Sequence, residues 1–159
     1  MMNEDFRYNL RALVKADEGW SATPYRDTEG VLTIGFGTNI EQISRKEGEM
    51  LLDSRLKDCI EHDLIALDAE ELGVLNDARL IVYISMLYNM GLGRFCGFKR
   101  MRKAVKAKNW ADAAKEMLDS KWYKQVGKRA ERLAAIMRSG ELNDWMRAGQ
   151  NPNERPFPV

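Results

Sequence analysis

The sequence predicts an α+β fold with a small N-terminal β-hairpin lobe, a long connecting helix and a larger helical C-terminal lobe. Three observations lead there. Apolar residues recur with a helical period along most of the 159 residues but alternate strictly over residues 31–36. A Ser-x-x-Glu capping box at Ser44-Arg45-Lys46-Glu47 opens a long periodic run. The segment Leu80 to Met90 is apolar on nearly every side, as the buried axis of a helical bundle is.

In chain order, Phe6, Leu10, Leu13 and Val14 form one stripe on a first helix over Asp5–Ala16. Gly19 can take the left-handed conformation that ends it, and Pro24 blocks any continuation. Residues 25–38 read as a hairpin, extendable to a small third strand, with a turn at Asp27-Thr28-Glu29-Gly30. Leu32, Ile34 and Phe36 should face the interior, with Val31, Thr33 and Gly35 on the other side. The capped helix should run to about Ala66 through Met50, Leu51, Leu52, Leu56, Ile60 and Leu64, with an acidic outer face. After a break at Gly73, Asn76 caps the apolar helix, and Gly91, Gly93 and Gly97 form a loop behind it. Three shorter helices follow near Phe98–Ala107, Trp110–Ser120 (capped by Asn109) and Lys128–Met137, the last stopped near Gly140. The tail Asn151–Val159 holds three of the four prolines and reads as an extended strap. The expected organisation is one domain over 1–159: a β-lobe at 20–43, a connecting helix at 44–67, a helical lobe from 1–19 and 70–150, and the tail.

Composition narrows the function. Hydrophobic residues at 45% and charged residues at 31% suit a globular chain. The longest apolar run, Leu80–Tyr88, is too short to span a bilayer, and the N-terminus lacks a secretory pattern, so stable membrane insertion and export are not expected. Two cysteines cannot make a disulfide framework. A single histidine, His62, excludes a poly-His metal site, and Cys59 with His62 supplies only two ligands, so neither metal nor other cofactor is expected. Up to Leu75 there are 8 Lys and Arg against 16 Asp and Glu; from Asn76 there are 17 against 8. A basic half suits an anionic polymer, while two mutually attracting solvated surfaces are the alternative. No RNA-binding or zinc-finger signature supports nucleic acid.

Glu18 through Gly37 places two carboxylates and a hydroxyl around one helix-to-hairpin transition. At a helix C-terminus the dipole disfavours an ionised Glu18, and apolar neighbours such as Trp20 would push the same way. A glutamic acid held protonated is what glycosidic cleavage needs at the departing oxygen. Asp27, in a polar turn, should stay ionised, and Thr33 should look across the same cleft. On spacing alone, an ordinary solvated glutamate and a turn aspartate remain the alternative.

Asp17-Glu18-Gly19, Tyr25-Arg26-Asp27-Thr28-Glu29-Gly30 and Leu32-Thr33-Ile34-Gly35-Phe36-Gly37 closely resemble the phage-type lysozymes of the T-even class. Asn89-Met90-Gly91, Gly97-Phe98, Asn109-Trp110-Ala111-Asp112-Ala113-Ala114, Ser120-Lys121-Trp122-Tyr123 and Arg129-Ala130 continue the likeness downstream. The resemblance implies a lysozyme-like fold and a catalytic set of Glu18, Asp27 and Thr33. It implies substrate contacts from Tyr88, Asn89, Trp122 and Gln125, with Arg129 supporting the glutamate. For Tyr88 and Trp122, core packing is the alternative. The implied function is that of an endolysin, cleaving the β-1,4 bond between N-acetylmuramic acid and N-acetylglucosamine of peptidoglycan with inversion. A chitin-directed glycosidase and a non-catalytic peptidoglycan-binding module are the rivals. A monomer is expected in the host bacterial cytoplasm, reaching the wall once a separate holin-like protein permeabilises the membrane. The chain departs from the family at Thr38, where a histidine is usual, at Asn89, where glutamine is, and in a short link between hairpin and helix.

Overall fold

The computed structural model describes the backbone of residues 4–142 and the side chains from residue 7 onward; the tail Asn151–Val159 lies outside the described residues. The chain divides into two compact units, Met1–Leu52 and Asp53–Val159.

In the first unit, helix α1 spans Glu4–Glu18. It stops where Gly19 adopts φ +68° and donates its N–H to the Lys15 carbonyl at 3.2 Å, a left-handed cap. Strands β1 (Ser21–Arg26), β2 (Leu32–Gly35) and β3 (Thr38–Asn39) form an antiparallel sheet in that order. Tyr25 pairs with Thr33, and Thr33 with Asn39, so Thr33 occupies the centre of the middle strand. The register shifts between Ser21 and Tyr25, where Pro24 has no N–H to give the ladder.

Two expectations about burial are corrected here. Leu32 and Ile34 are only half-buried, and the enclosed residue of β2 is Thr33, at 3% exposure. Alternation separates the two faces, but the more enclosed one is the face that carries Thr33. The α1 stripe is likewise open, with Leu10, Leu13 and Val14 between 44% and 60% exposed. Helical period forms an apolar stripe; only a partner buries it.

Helix α2 (Arg45–Asp58) opens with the capping box. The Ser44 N–H and hydroxyl each donate to Glu47 Oε2 at 2.7 Å, and the Glu47 N–H donates back to Ser44 Oγ at 3.2 Å. These bonds hold the Glu47 carboxyl below its ordinary range, the Ser44 hydroxyl contributing most. No α2 residue is buried, and the division between units falls within this helix.

In the second unit, α2 passes into a π-helical segment, Cys59–Leu64, in place of the regular helix expected to Ala66. Cys59 and Leu64, five residues apart, are both buried, which is the spacing of one π turn. A short helix not anticipated, α3 (Ala69–Gly73), is capped by Asp68, whose Oδ1 accepts from the N–H groups of Glu70 and Glu71. The Asp-x-x-Glu signal for it was present in the sequence.

Helix α4 (Asp77–Cys96) starts at the expected cap, Asn76 Oδ1 accepting from the Arg79 N–H at 3.1 Å. Gly91, at φ +77° and ψ 162°, breaks it, and the chain then resumes as helix where a loop was expected. Nor is α4 enclosed all round, since Ile81 and Tyr88 are exposed on its outer side. Helices α5 (Lys99–Lys106), α6 (Trp110–Leu118), α7 (Lys121–Val126) and α8 (Lys128–Ser139) complete the unit. The cap on α7, Ser120 Oγ accepting from the Tyr123 N–H, was not recognised. Val82, Tyr83, Met86, Phe95, Val105 and Ile136 anchor the core, with the Tyr83 and Phe95 rings edge to face at 4.9 Å.

Arg79 locks the end of α8. Its guanidinium lies 3.9 Å from the Trp110 ring centre, and Nε donates to the Met137 carbonyl at 2.9 Å. Gly140 ends α8 with φ +75°, and a Cβ there would meet that guanidinium at 2.6 Å.

Candidate active site

The three residues suggested by spacing all lie in the first unit, each set by a different piece of backbone. Glu18 is the last residue of α1 and is exposed. Trp20, expected to shield it, is itself 68% exposed. The Glu18 carboxyl rests against Gly37, whose φ is +70°; a Cβ built there would stand 2.7 Å from Glu18 Cδ and nearer still to Oε2. Glycine is required twice over at this position, once for the left-handed backbone and once for the room it leaves the acid.

Asp27 uses one oxygen to fold its own loop. Its Oδ1 accepts from the N–H groups of Glu29 and Val31, both at 2.9 Å. Oδ2 accepts no hydrogen bond among the described residues. Thr33 donates its hydroxyl to the Val31 carbonyl at 3.1 Å, and the Asp27 N–H donates to the same carbonyl at 3.0 Å. The peptide unit of Val31 is thus a shared anchor for the aspartate and the threonine. Sequence reasoning missed it, because a backbone role leaves no signature in the side chain.

Arg26 and Glu41 brace the hairpin from outside. Arg26 Nη1 donates to the Gly30 carbonyl at 2.6 Å and lies 3.6 Å from Glu41 Oε1. Both groups are well exposed, so the pair adds little to stability by itself.

The second unit carries the other residues singled out from the sequence. Asn89, Trp122 and Gln125 line one cavity of about 780 Å³, together with Arg94, Lys99, Arg100, Glu116, Asp119 and Lys121. Within it the Trp122 indole N–H donates to Asn89 Oδ1 at 2.7 Å. Trp122 is 6% exposed and meets Phe98 edge to face, so its ring is part of the core while its edge reaches the cavity wall. Tyr88 is exposed and not among the lining residues. Arg129 Nη2 donates to Ser85 Oγ at 3.3 Å. Among the described residues, no group of three or more His, Cys, Asp or Glu side chains could hold a metal ion.

Replacing Gly37 with alanine is expected to displace the Glu18 carboxyl, and a reaction that uses that carboxyl should lose about a hundredfold in kcat/KM, the scale of a misplaced reacting group. Gly30, with φ +81° and open space around its Cα, supplies the comparison for strain alone. Equal losses in Gly37→Ala and Gly30→Ala would show that the contact with Glu18 is irrelevant.

Residues 15–141 match the phage lysozyme family. The chain is 29% identical over 166 residues to "Probable T4-type lysozyme 1" of Dictyostelium discoideum, an alignment covering 86% of this chain and 98% of that protein. It is 26% identical to the pre-baseplate central spike protein Gp5 of Enterobacteria phage T4, over 86% of this chain and 29% of the spike protein. Peptidoglycan hydrolase gp36 of Pseudomonas phage phiKMV shares 28% identity across 82% of this chain and 15% of its own length.

Proposed function

The chain belongs to the phage lysozyme family, and from that premise we propose that Glu18, Asp27 and Thr33 cleave the β-1,4 bond between N-acetylmuramic acid and N-acetylglucosamine in peptidoglycan, with inversion. The observation that carries the reading is the pairing of Asp27 and Thr33 on the Val31 peptide, with the Glu18 carboxyl seated on Gly37 in the same unit.

Glu18 acts as the general acid and protonates the departing glycosidic oxygen. Asp27 commits Oδ1 to its loop, which leaves Oδ2 to accept a proton from the attacking water. The Thr33 hydroxyl spends its proton on the Val31 carbonyl, so only its lone pairs remain for that water. A water that donates to both groups keeps a lone pair directed at the anomeric carbon. The Asp27 charge also opposes the positive charge that develops on the sugar ring. This arrangement is inverting, which calls for carboxyls about 6.5 to 9.5 Å apart rather than the about 5 to 5.5 Å of a retaining pair.

Asn89, Trp122 and Gln125 would hold the glycan at their cavity, with Tyr88 adding a contact. On this reading the protein acts as a monomer on the bacterial wall, without nucleic acid or cofactor. Its role is host cell lysis from the cytoplasm, once a holin-like protein has opened the membrane. No helix among the described residues is long and apolar enough to cross a membrane.

Proton NMR of the first products from a β-linked wall fragment, recorded before mutarotation, tests the mechanism. The expected initial product is the α-anomer. An initial β-anomer, or a covalent adduct on Asp27, would make Asp27 a nucleophile and overturn its role and that of Thr33.

A further inference from the structure

We propose that Trp20, Phe36 and Lys15 form a saccharide-binding face beside Glu18 that takes a glycan ring bearing a carboxylate. The inference rests on the glycosidase reading of Glu18 and adds a site to it. The arrangement follows from three consecutive residues. Gly35 lies under the Trp20 indole, where a Cβ would be 3.6 Å from Cζ3. The Phe36 ring stands 5.0 Å from that of Trp20, tilted by 50°. Gly37 carries the Glu18 carboxyl. The aromatic pair and the acid therefore sit on adjacent positions of one short turn.

Trp20 is 68% exposed, an unusual amount for the largest apolar side chain. The sheet does not use it as core; Thr33 is the buried residue there. A pyranose is amphipathic, with a flat C–H face and a rim of hydroxyls, and an open indole beside a proton donor matches the C–H face. Sugar-binding sites combine such aromatic surface with a few placed polar groups.

Lys15 supplies the polar group. Its Nζ lies 4.9 Å from the centre of the Phe36 ring, a cation–π contact, and it precedes Glu18 by three residues, on the same side of α1. Lys15 thus covers one face of Phe36 and leaves the Trp20 indole as the open stacking surface, and a cation beside that surface favours a ring with an acidic substituent over a neutral one. Muramic acid rings, through their lactyl group and its attached peptide, bring carboxylates that chitin lacks.

The test compares soluble wall glycan fragments with chitooligosaccharides of equal length. Trp20→Ala should raise KM for wall fragments about tenfold, with kcat within about twofold and an unchanged melting temperature, and Trp20→Phe should recover most of the loss. Lys15→Gln should raise KM for carboxylate-bearing fragments and leave that for chitooligosaccharides as it was. Binding is read separately in Glu18→Gln protein, where fragments should change tryptophan emission; Trp122 contributes to that change as well, so the Trp20 share is the part lost in Glu18→Gln/Trp20→Phe. An unchanged KM in Trp20→Ala, or an emission change of the same size with and without Trp20, overturns the subsite and leaves the hydrolase reading standing. Trp20-dependent binding by a wild-type protein that cleaves nothing keeps the subsite and sinks the hydrolase reading. A Lys15→Gln protein impaired equally on both glycans removes the preference for a carboxylate.

Discussion

Glu18→Gln is expected to lower activity on peptidoglycan by about two to four orders of magnitude, the usual contribution of general acid catalysis. The substitution preserves length and shape and removes only the titratable proton. Glu18 is exposed at the end of α1, with its carboxyl against the backbone of Gly37, so folding should not change. Turbidity clearing of permeabilised cells and release of reducing ends from purified wall both measure the loss. Thermal melting of the same preparations separates chemistry from stability. A Glu18→Gln protein that folds and retains a tenth of wild-type activity would sink the acid assignment. Binding to wall fragments should survive, because the amide occupies the same space.

The second large effect is on stability and lies in the other unit. Glu71 is fully buried, and its carboxylate accepts from the Tyr83 hydroxyl at 2.6 Å and from Arg102 Nε and Nη2 at 3.0 and 2.8 Å. Burial first, and then Glu71, push the Tyr83 hydroxyl far above its ordinary pKa, while the bonds Arg102 donates to Glu71 raise that of Arg102. Removing one partner leaves the others desolvated and unpaired, a loss that runs to 3–5 kcal/mol for buried pairs. The Arg102 side chain is 22% exposed, so water relieves part of that cost. We expect Glu71→Ala to destabilise by about 3 kcal/mol, lowering the melting temperature by roughly 6 to 12 °C.

The Glu71→Ala/Arg102→Ala protein should lose less than the two single losses combined, by at least about 1 kcal/mol, because the second change removes a charge already orphaned. Strict additivity in urea unfolding would mean that the ion pair contributes nothing of its own. Activity at low temperature should be unaffected, since no residue proposed for catalysis touches this network.

Several elements are legible in the sequence because their signals are local. Ser44 with Glu47, Asn76, Asn109 and Gly140 cap or end helices where their side chains or backbone freedom predict. The turn residue Asp27 folds its loop with the bonds expected of an aspartate there. The spacing of Glu18, Asp27 and Thr33 put all three in one unit. The caps of α3 and α7 were legible too, in Asp68 and Ser120, and were overlooked.

The sequence by itself determined the main helices and the hairpin, where most of them stop, and which family the chain resembles. These depend on contacts within about five residues, where residue type and spacing decide the energy. Only tertiary structure decided burial and long-range pairing. It enclosed Thr33 rather than Leu32, left Leu13 and Trp20 open, and rotated Cys59 and Leu64 inward through a π turn. It also joined Glu71 to an arginine 31 residues away and bound Trp122 to Asn89 across 33. Periodicity names a face but not what covers it, and a charged side chain does not announce a partner that the chain brings close only on folding.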